Sequence, residues 1–171
     1  LVKRLLIDAG DKELVHYEEA RKLYRTEFDK DPFYKIQHYP GMPETLKTLK
    51  QNGVKLGVCS NKPHEAAVKV VKRMFGDQVF DMVMGQSDSI RKKPAPDGPL
   101  KIAEAFGVLP EECMYLGDSG TDMQTGKAAG MYTVGVLWGY REKEELLKNG
   151  ADALVESPED ILDLYEEKCS K

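Results

Sequence analysis

The chain has 171 residues, 41% of them apolar and 32% charged, with a formal net charge of −4. That is enough for one sizeable core and a small appendage, in an ordinary globular composition. The acidic balance and the lack of a basic tail argue against nucleic acid or an anionic membrane as partner, and no window approaches the length of a membrane span.

The first forty residues differ from the rest. Residues 1–9 read as a helix stopped by Gly10, and Asp11 is placed to cap a second helix to about Phe28, with Leu14, Tyr17, Tyr24 and Phe28 near one face. Residues 29–39 form a polar, aromatic linker, closed by Pro40-Gly41-Met42-Pro43. A regular alternation follows. A helix over 44–51 leads to a strand over 54–59, a helix over 63–75 and an apolar run over 79–84. A basic, proline-rich loop over 91–96 opens a helix over 97–106; then come a strand over 113–116, a helix over 123–129 and a strand over 132–137. A helix over 142–148, a strand over 153–155 and a helix over 158–168 end the pattern. Strands alternating with helices of this length imply right-handed βαβ units, an α/β class and a mostly parallel sheet.

Cys59, Cys113 and Cys169 form no CxxC pair, and the expectation is buried or inert thiols in a reducing cytoplasm. The opening Leu-Val-Lys-Arg-Leu-Leu is too short and too quickly polar for a signal peptide. His16, His38 and His64 have no ligand spacing.

Three places at strand ends or in the following loops hold residues suited to phosphate chemistry. Ser60, followed by Asn61-Lys62-Pro63 at the expected start of a helix, offers a hydroxyl beside free backbone N–H groups; a plain helix cap is the alternative. Lys93 sits between Lys92 and Pro94, so its ammonium is aimed rather than left to wander, although Arg91-Lys92-Lys93 also reads as a solvated run. Asp118 and Asp122 lie four apart in Gly117-Asp118-Ser119-Gly120-Thr121-Asp122, after a strand, where a hard cation such as Mg²⁺ takes one or two carboxylates. There the alternative is that Asp118 or Thr121 caps the next helix.

In their order along the chain these signals resemble the haloacid dehalogenase superfamily of phosphatases. Gly57-Val58-Cys59-Ser60-Asn61-Lys62 is similar to its second motif, Lys93-Pro94-Ala95-Pro96 to its third, and Gly117-Asp118-Ser119-Gly120-Thr121-Asp122-Met123 to its fourth. Tyr39-Pro40-Gly41-Met42-Pro43-Glu44, Gly126-Lys127-Ala128-Ala129-Gly130-Met131, Val136-Leu137-Trp138-Gly139-Tyr140-Arg141 and Gly150-Ala151-Asp152 resemble the phosphoglycolate phosphatase branch. The resemblance implies a Rossmann-like sheet with helices on both faces over residues 40–171, and part of a helical cap over 1–39. It also implies a small phosphorylated metabolite as substrate, Mg²⁺ as cofactor, and a cytoplasmic monomer or weak homodimer. Asp118 would ligate the ion, with Asp122 ligating it or orienting its waters or loop. Lys93 and Ser60 would act on the phosphate, with Asn61 offering its amide.

The superfamily's first motif, an apolar strand ending in Asp-x-Asp that supplies the nucleophile, has no match. Asp29-Lys30-Asp31 follows a charged helix, and Leu5-Leu6-Ile7-Asp8 continues as Ala9-Gly10-Asp11, which breaks the spacing. The cap aromatics Tyr17, Tyr24, Phe33, Tyr34 and Tyr39 are expected to pack against the cap's other half, and without it to leave apolar surface exposed. Two readings follow from the resemblance: a phosphatase using an aspartyl-phosphate whose nucleophile is not in this sequence, or an inactive phosphate- or partner-binding module of the same fold. A phosphoacceptor signalling domain fits less well, because its acidic residues precede its lysine. Haloalkanoate dehalogenation needs no Mg²⁺, which leaves the acidic pair without a purpose.

Overall fold

The computed structural model describes residues 2–31, 33 and 36–169, apart from the side chains of Phe28, Asp29 and Cys169; Leu1 and Tyr34 lie outside the described residues. The chain divides into two compact units, Leu1–Ile36 and Gln37–Lys171.

In the first unit, helix α1 (Val2–Asp8) ends at Gly10, with the Asp11 N–H bonded to the Leu6 carbonyl at 2.8 Å. Helix α2 (Tyr17–Lys30) starts six residues later than Asp11. The expected cap is displaced because Asp11 receives the Val15 and His16 N–H groups, each at 2.9 Å, and Leu14 takes a left-handed φ of 56° that interrupts the helix. Leu5, Ile7, Val15, Leu23 and Tyr24 are exposed.

The second unit holds α3 (Met42–Gln51), β1 (Gly57–Pro63), α4 (His64–Phe75), β2 (Met82–Gln86), α5 (Asp97–Phe106), β3 (Met114–Gly117), α6 (Gly120–Ala128), β4 (Tyr132–Val136), α7 (Lys143–Lys148), β5 (Ala153–Val155) and α8 (Asp160–Cys169). Every ladder is parallel, as the alternation of elements requires. The ladders form two sheets, β1-β2 and β3-β4-β5.

Two differences from the sequence-based expectation bear on the site. The strand expected over 54–59 instead runs from Gly57 to Pro63. Val54 and Leu56 still face the core, but the Leu56 N–H goes to the Asp81 carboxylate at 2.8 Å rather than to a ladder. Ser60, Asn61 and Lys62 therefore continue the strand, past an irregularity between Cys59 and Pro63, and the next helix begins only at His64. The helix after the acidic loop starts at Gly120, so Asp122 lies in its first turn.

Two hydrophobic clusters lie on opposite faces of β3, since Met114 and Tyr115 alternate along it, and each reaches towards β1. One cluster joins Leu49 of α3, Val134 and Val136 of β4, Val155 of β5 and Ile161 of α8, with Leu56 ahead of β1 and Met114 of β3 against it. The other joins Ala103 of α5, Tyr115 of β3 and Met131, with Cys59 of β1 against it. Among the described residues β1 and β3 nevertheless share no backbone ladder. Tyr115 and Cys59 meet across that gap, side chain to side chain. This places the chemistry-bearing ends of β1 and β3 at the same end of two half-sheets.

The Thr45 hydroxyl, on α3, is buried with no hydrogen-bond partner among the described residues. A buried hydroxyl left unbonded costs about 1–3 kcal/mol, and valine has the same shape and β-branching. Thr45→Val is expected to raise the unfolding free energy by about 1 kcal/mol in urea titrations; a clear loss would show that the hydroxyl is bonded.

Candidate active site

Lys93, in the loop between β2 and α5, is the centre of the site. Its ammonium donates to Asp122 Oδ1 at 2.6 Å and to the Cys59 carbonyl at 3.4 Å. The side chains of Lys93 and Asp122 are only 17% and 10% exposed, which makes this the most enclosed ion pair among the described residues. Asp122 has no spare oxygen, because Oδ2 accepts the Ser119 hydroxyl at 2.5 Å. Ser119 is also the N-cap of α6, accepting the Asp122 N–H at 3.3 Å. The helix cap is therefore Ser119, and neither Asp118 nor Thr121. Gly117 is needed for close approach, since a Cβ there would stand 2.2 Å from the Asp122 Cβ.

Asn61 fixes the backbone of Lys93. Its side-chain oxygen accepts the Lys93 N–H at 2.8 Å, and its amide nitrogen donates to the Lys93 carbonyl at 3.3 Å. Ser60, half-buried on β1, accepts the Lys62 N–H at 3.1 Å. It thus sits between two residues, Cys59 and Asn61, that both bond to Lys93. The loop is braced from the other end by Arg91, whose guanidinium reaches Asp97 at 2.6 and 2.9 Å.

Asp118, one residue beyond β3, is held differently. Its Oδ2 accepts the Tyr140 N–H at 3.1 Å, and among the described residues nothing else hydrogen-bonds to its carboxylate. Tyr39 lies close to both: burial first, then Tyr140 and Asp118, pushes its hydroxyl above the ordinary value of 10.0. Behind the site, burial raises the Cys59 thiol, only partly offset by Lys93, and burial likewise raises the Tyr115 hydroxyl, reinforced by Cys59 and Asp122. Both groups stay neutral and serve as packing.

The haloacid dehalogenase-like hydrolase profile matches residues 2–136. The chain belongs to that family. Within it the sequence is phosphoglycolate phosphatase-like: it is 33% identical over 149 residues to phosphoglycolate phosphatase of Aquifex aeolicus, spanning 87% of this chain and 68% of that protein. It is 34% identical over 124 residues to the Escherichia coli K12 phosphoglycolate phosphatase, where the match covers 72% of this chain but only 49% of the relative. The chain thus spans about half the length of several of the relatives it matches. Among solved structures, one from Lactobacillus delbrueckii subsp. bulgaricus, named provisionally as a phosphoglycolate phosphatase, superposes with a TM-score of 0.82 at 31% identity, covering 94% of this chain and 74% of that one. A HAD-superfamily hydrolase of subfamily IA from Geobacter sulfurreducens gives 0.70 at 30% identity, covering 86% and 71%.

The candidate site brings Asn61, Lys93 and Asp122 together, with Ser60 beside Asn61 on β1 and Asp118 beside Ser119, whose hydroxyl bonds Asp122. Sequence reasoning missed Ser119, although Ser-x-x-Asp before a helix is a capping signature. It also missed the Tyr140 N–H, which no local pattern marks. Mg²⁺ is the ion that the family implies. Asp118 fits it by keeping one carboxylate oxygen unbonded; Asp122, with both oxygens taken, fits less well. Among the described residues no three His, Cys, Asp or Glu side chains gather around a cation position. Mg²⁺ tolerates this, because it commonly binds through one or two carboxylates and takes water and phosphate oxygens for the rest.

Two expectations follow. Lys93→Met leaves the Asp122 carboxylate enclosed without its cation, and is expected to cost about 3–5 kcal/mol in urea unfolding. Adding Asp122→Asn should recover part of that loss, whereas additive losses would show that the pair is not coupled. The second concerns pH. The hydrogen bond from Arg91 lowers Asp97 from 3.8 to about 2. A carboxylate lowered in the folded state holds its brace above 3.8 and releases it as the pH falls towards 2. Amide spectra recorded through that window should show the Arg91 resonance moving with Asp97, and the step should vanish in Asp97→Asn.

Proposed function

We propose that this chain carries most of the active site of a Mg²⁺-dependent phosphate monoester hydrolase that works through an aspartyl-phosphate, with a small phosphorylated metabolite such as phosphoglycolate as substrate. The observation that carries the reading is the convergence of Lys93, Asp122 and the Ser60–Asn61 segment on one point beside the gap between β1 and β3. The nucleophilic aspartate is read as lying on a further parallel strand that fills the gap, and residues 1–39 as part of a helical cap. The gap supports this because β1 and β3 are, among the described residues, each laddered on one side only, which leaves two facing edges that a further strand would pair.

In this reading each residue has one task. The lysine ammonium neutralises the charge that gathers between nucleophile and phosphoryl oxygens. Asp122 and Asn61 hold it there, and the Ser60 hydroxyl donates to another phosphate oxygen. Asp118 is the residue that would hold Mg²⁺, which supplies positive charge against the phosphate oxygens. In the first step an aspartate oxygen bonds to phosphorus as the ester P–O bond breaks, and the departing alkoxide takes a proton from a neighbouring acid. Water then attacks phosphorus, giving a proton to that same group, now a base; the bond from phosphorus to the aspartate oxygen breaks, and inorganic phosphate leaves. The cysteines suit a cytoplasmic setting, and among the described residues no helix is long and apolar enough to cross a membrane.

The protein as its source makes it should hydrolyse phosphoglycolate and a generic aryl phosphate only with Mg²⁺ present. Asp118→Ala and Lys93→Ala should each lower kcat/KM by about 10²–10³; the circular-dichroism spectrum should be unchanged in Asp118→Ala, whereas Lys93→Ala should also lose stability because it strands the Asp122 carboxylate. Near-normal turnover in Asp118→Ala would overturn the metal role. Absence of turnover on every monoester, with retained phosphate binding, would leave the non-catalytic binding module as the function.

A further inference from the structure

The loop after β4 carries Trp138-Gly139-Tyr140, and two of these residues meet Asp118 rather than the core. The Tyr140 N–H donates to Asp118 Oδ2 at 3.1 Å, although the Tyr140 side chain is 88% exposed. A Cβ on Gly139 would stand 2.1 Å from the Asp118 Cβ and 2.6 Å from Oδ2. Gly139 is not among the residues with positive φ. Its glycine is therefore a matter of space and not of backbone conformation.

We propose that the Gly139–Tyr140 peptide is a clamp that positions Asp118: it engages Oδ2 and so turns Oδ1 towards the incoming ligand. The assignment of a cation to that oxygen rests on the metal role given to Asp118 above. The clamp itself rests on contact geometry. Neither side yields easily, because Asp118 directly follows β3, whose last residue, Gly117, is laddered to Gly135 of β4. The Gly139 loop leaves that same β4, so both jaws hang from neighbouring strands in fixed register. A methyl at Gly139 must push the Asp118 side chain aside, since its nearest contact is the Cβ rather than a flexible chain end. Asp122, four residues on, needs no such clamp, because Lys93 and Ser119 already fix both its oxygens.

The test uses the ¹⁵N-labelled chain, titrated with Mn²⁺ and followed by paramagnetic broadening of its amide signals. In the unmodified chain, broadening is expected to centre on residues 117–119 and 139–140, and to disappear in Asp118→Asn. Gly139→Ala and Tyr140→Pro, which removes the donating hydrogen, should each raise the Mn²⁺ concentration needed by about tenfold, the effect of losing one hydrogen bond to a charged group. Their remaining spectra should be unaltered, an outcome that a merely structural role would not give. Equal midpoints in the folded variants overturn the clamp. A second measurement separates the clamp from the metal reading and does not need those variants to fold. Hydrogen exchange at the Tyr140 amide should quicken about tenfold in Asp118→Ala. Unchanged exchange there overturns the clamp; quickened exchange without Mn²⁺ broadening keeps the clamp and removes the metal role of Asp118.

Discussion

The ion pair between Lys93 and Asp122 is the contact on which the rest of the site depends. It joins the loop after β2 to the first turn of α6, and through the Cys59 carbonyl it also touches β1. Taking two charges out of water is costly unless the geometry is good and the remaining valences are bonded. Here they are: Ser119 completes Asp122, and Asn61 holds the lysine's own peptide groups. Such a pair is poor evidence for stability in itself. Its value is positional, because an ammonium held by two fixed acceptors, the Asp122 carboxylate and the Cys59 carbonyl, on a backbone that Asn61 pins is confined to a small region.

That position matters because of how the core is divided. Among the described residues the two parallel half-sheets are joined by hydrophobic clusters, through Leu56 ahead of β1 and Cys59 on it, but by no ladder where β1 faces β3. Buried side chains keep the halves together, while backbone hydrogen bonds keep each half in register. Ligands of open α/β sheets bind beyond the carboxyl ends of strands, and here Asp118 and Asp122 lie beyond that end of β3, while Ser60 lies within β1 where its ladder to β2 turns irregular. The ion pair bridges the two halves at this end, which couples the placement of one set of site residues to the other.

Much of the architecture was legible in the sequence, for identifiable reasons. The helix over 97–106 and the strand over 153–155 were read with their observed bounds, since punctuation and apolar pattern agree there. The strand before Ser60 was placed three residues early. Val54-Lys55-Leu56 has strand character, but Asp81, a tertiary partner 25 residues away, captures its backbone, and the polar stretch beyond Cys59 is kept extended by Asn61 bonding to Lys93. Asp11 misled for a similar reason: it gathers the N–H groups of a turn, and the helix starts only after that turn. For the site, residue types and order pointed to Ser60, Lys93, Asp118 and Asp122. Spacing along the chain could not show that Lys93 and Asp122, 29 residues apart, are in contact.

The two aspartates show most clearly what structure adds to motif. They are the same residue type, four apart where β3 gives way to α6, and their spacing alone does not separate their roles. In the fold they differ by the number of their partners. Asp122 is saturated by a lysine and a hydroxyl, so moving it to another ligand would strand an enclosed ammonium. Asp118 is held by one backbone N–H on one oxygen, which orients the carboxylate while leaving it half available. A carboxylate that must accept a cation needs this combination: loose and it loses preorganisation, and already paired with an ammonium it can take a second cation only against that charge. The two aspartates of the acidic loop thus differ in what holds them: Asp122 is fixed on a lysine and a hydroxyl, while Asp118 keeps one oxygen without a hydrogen bond among the described residues.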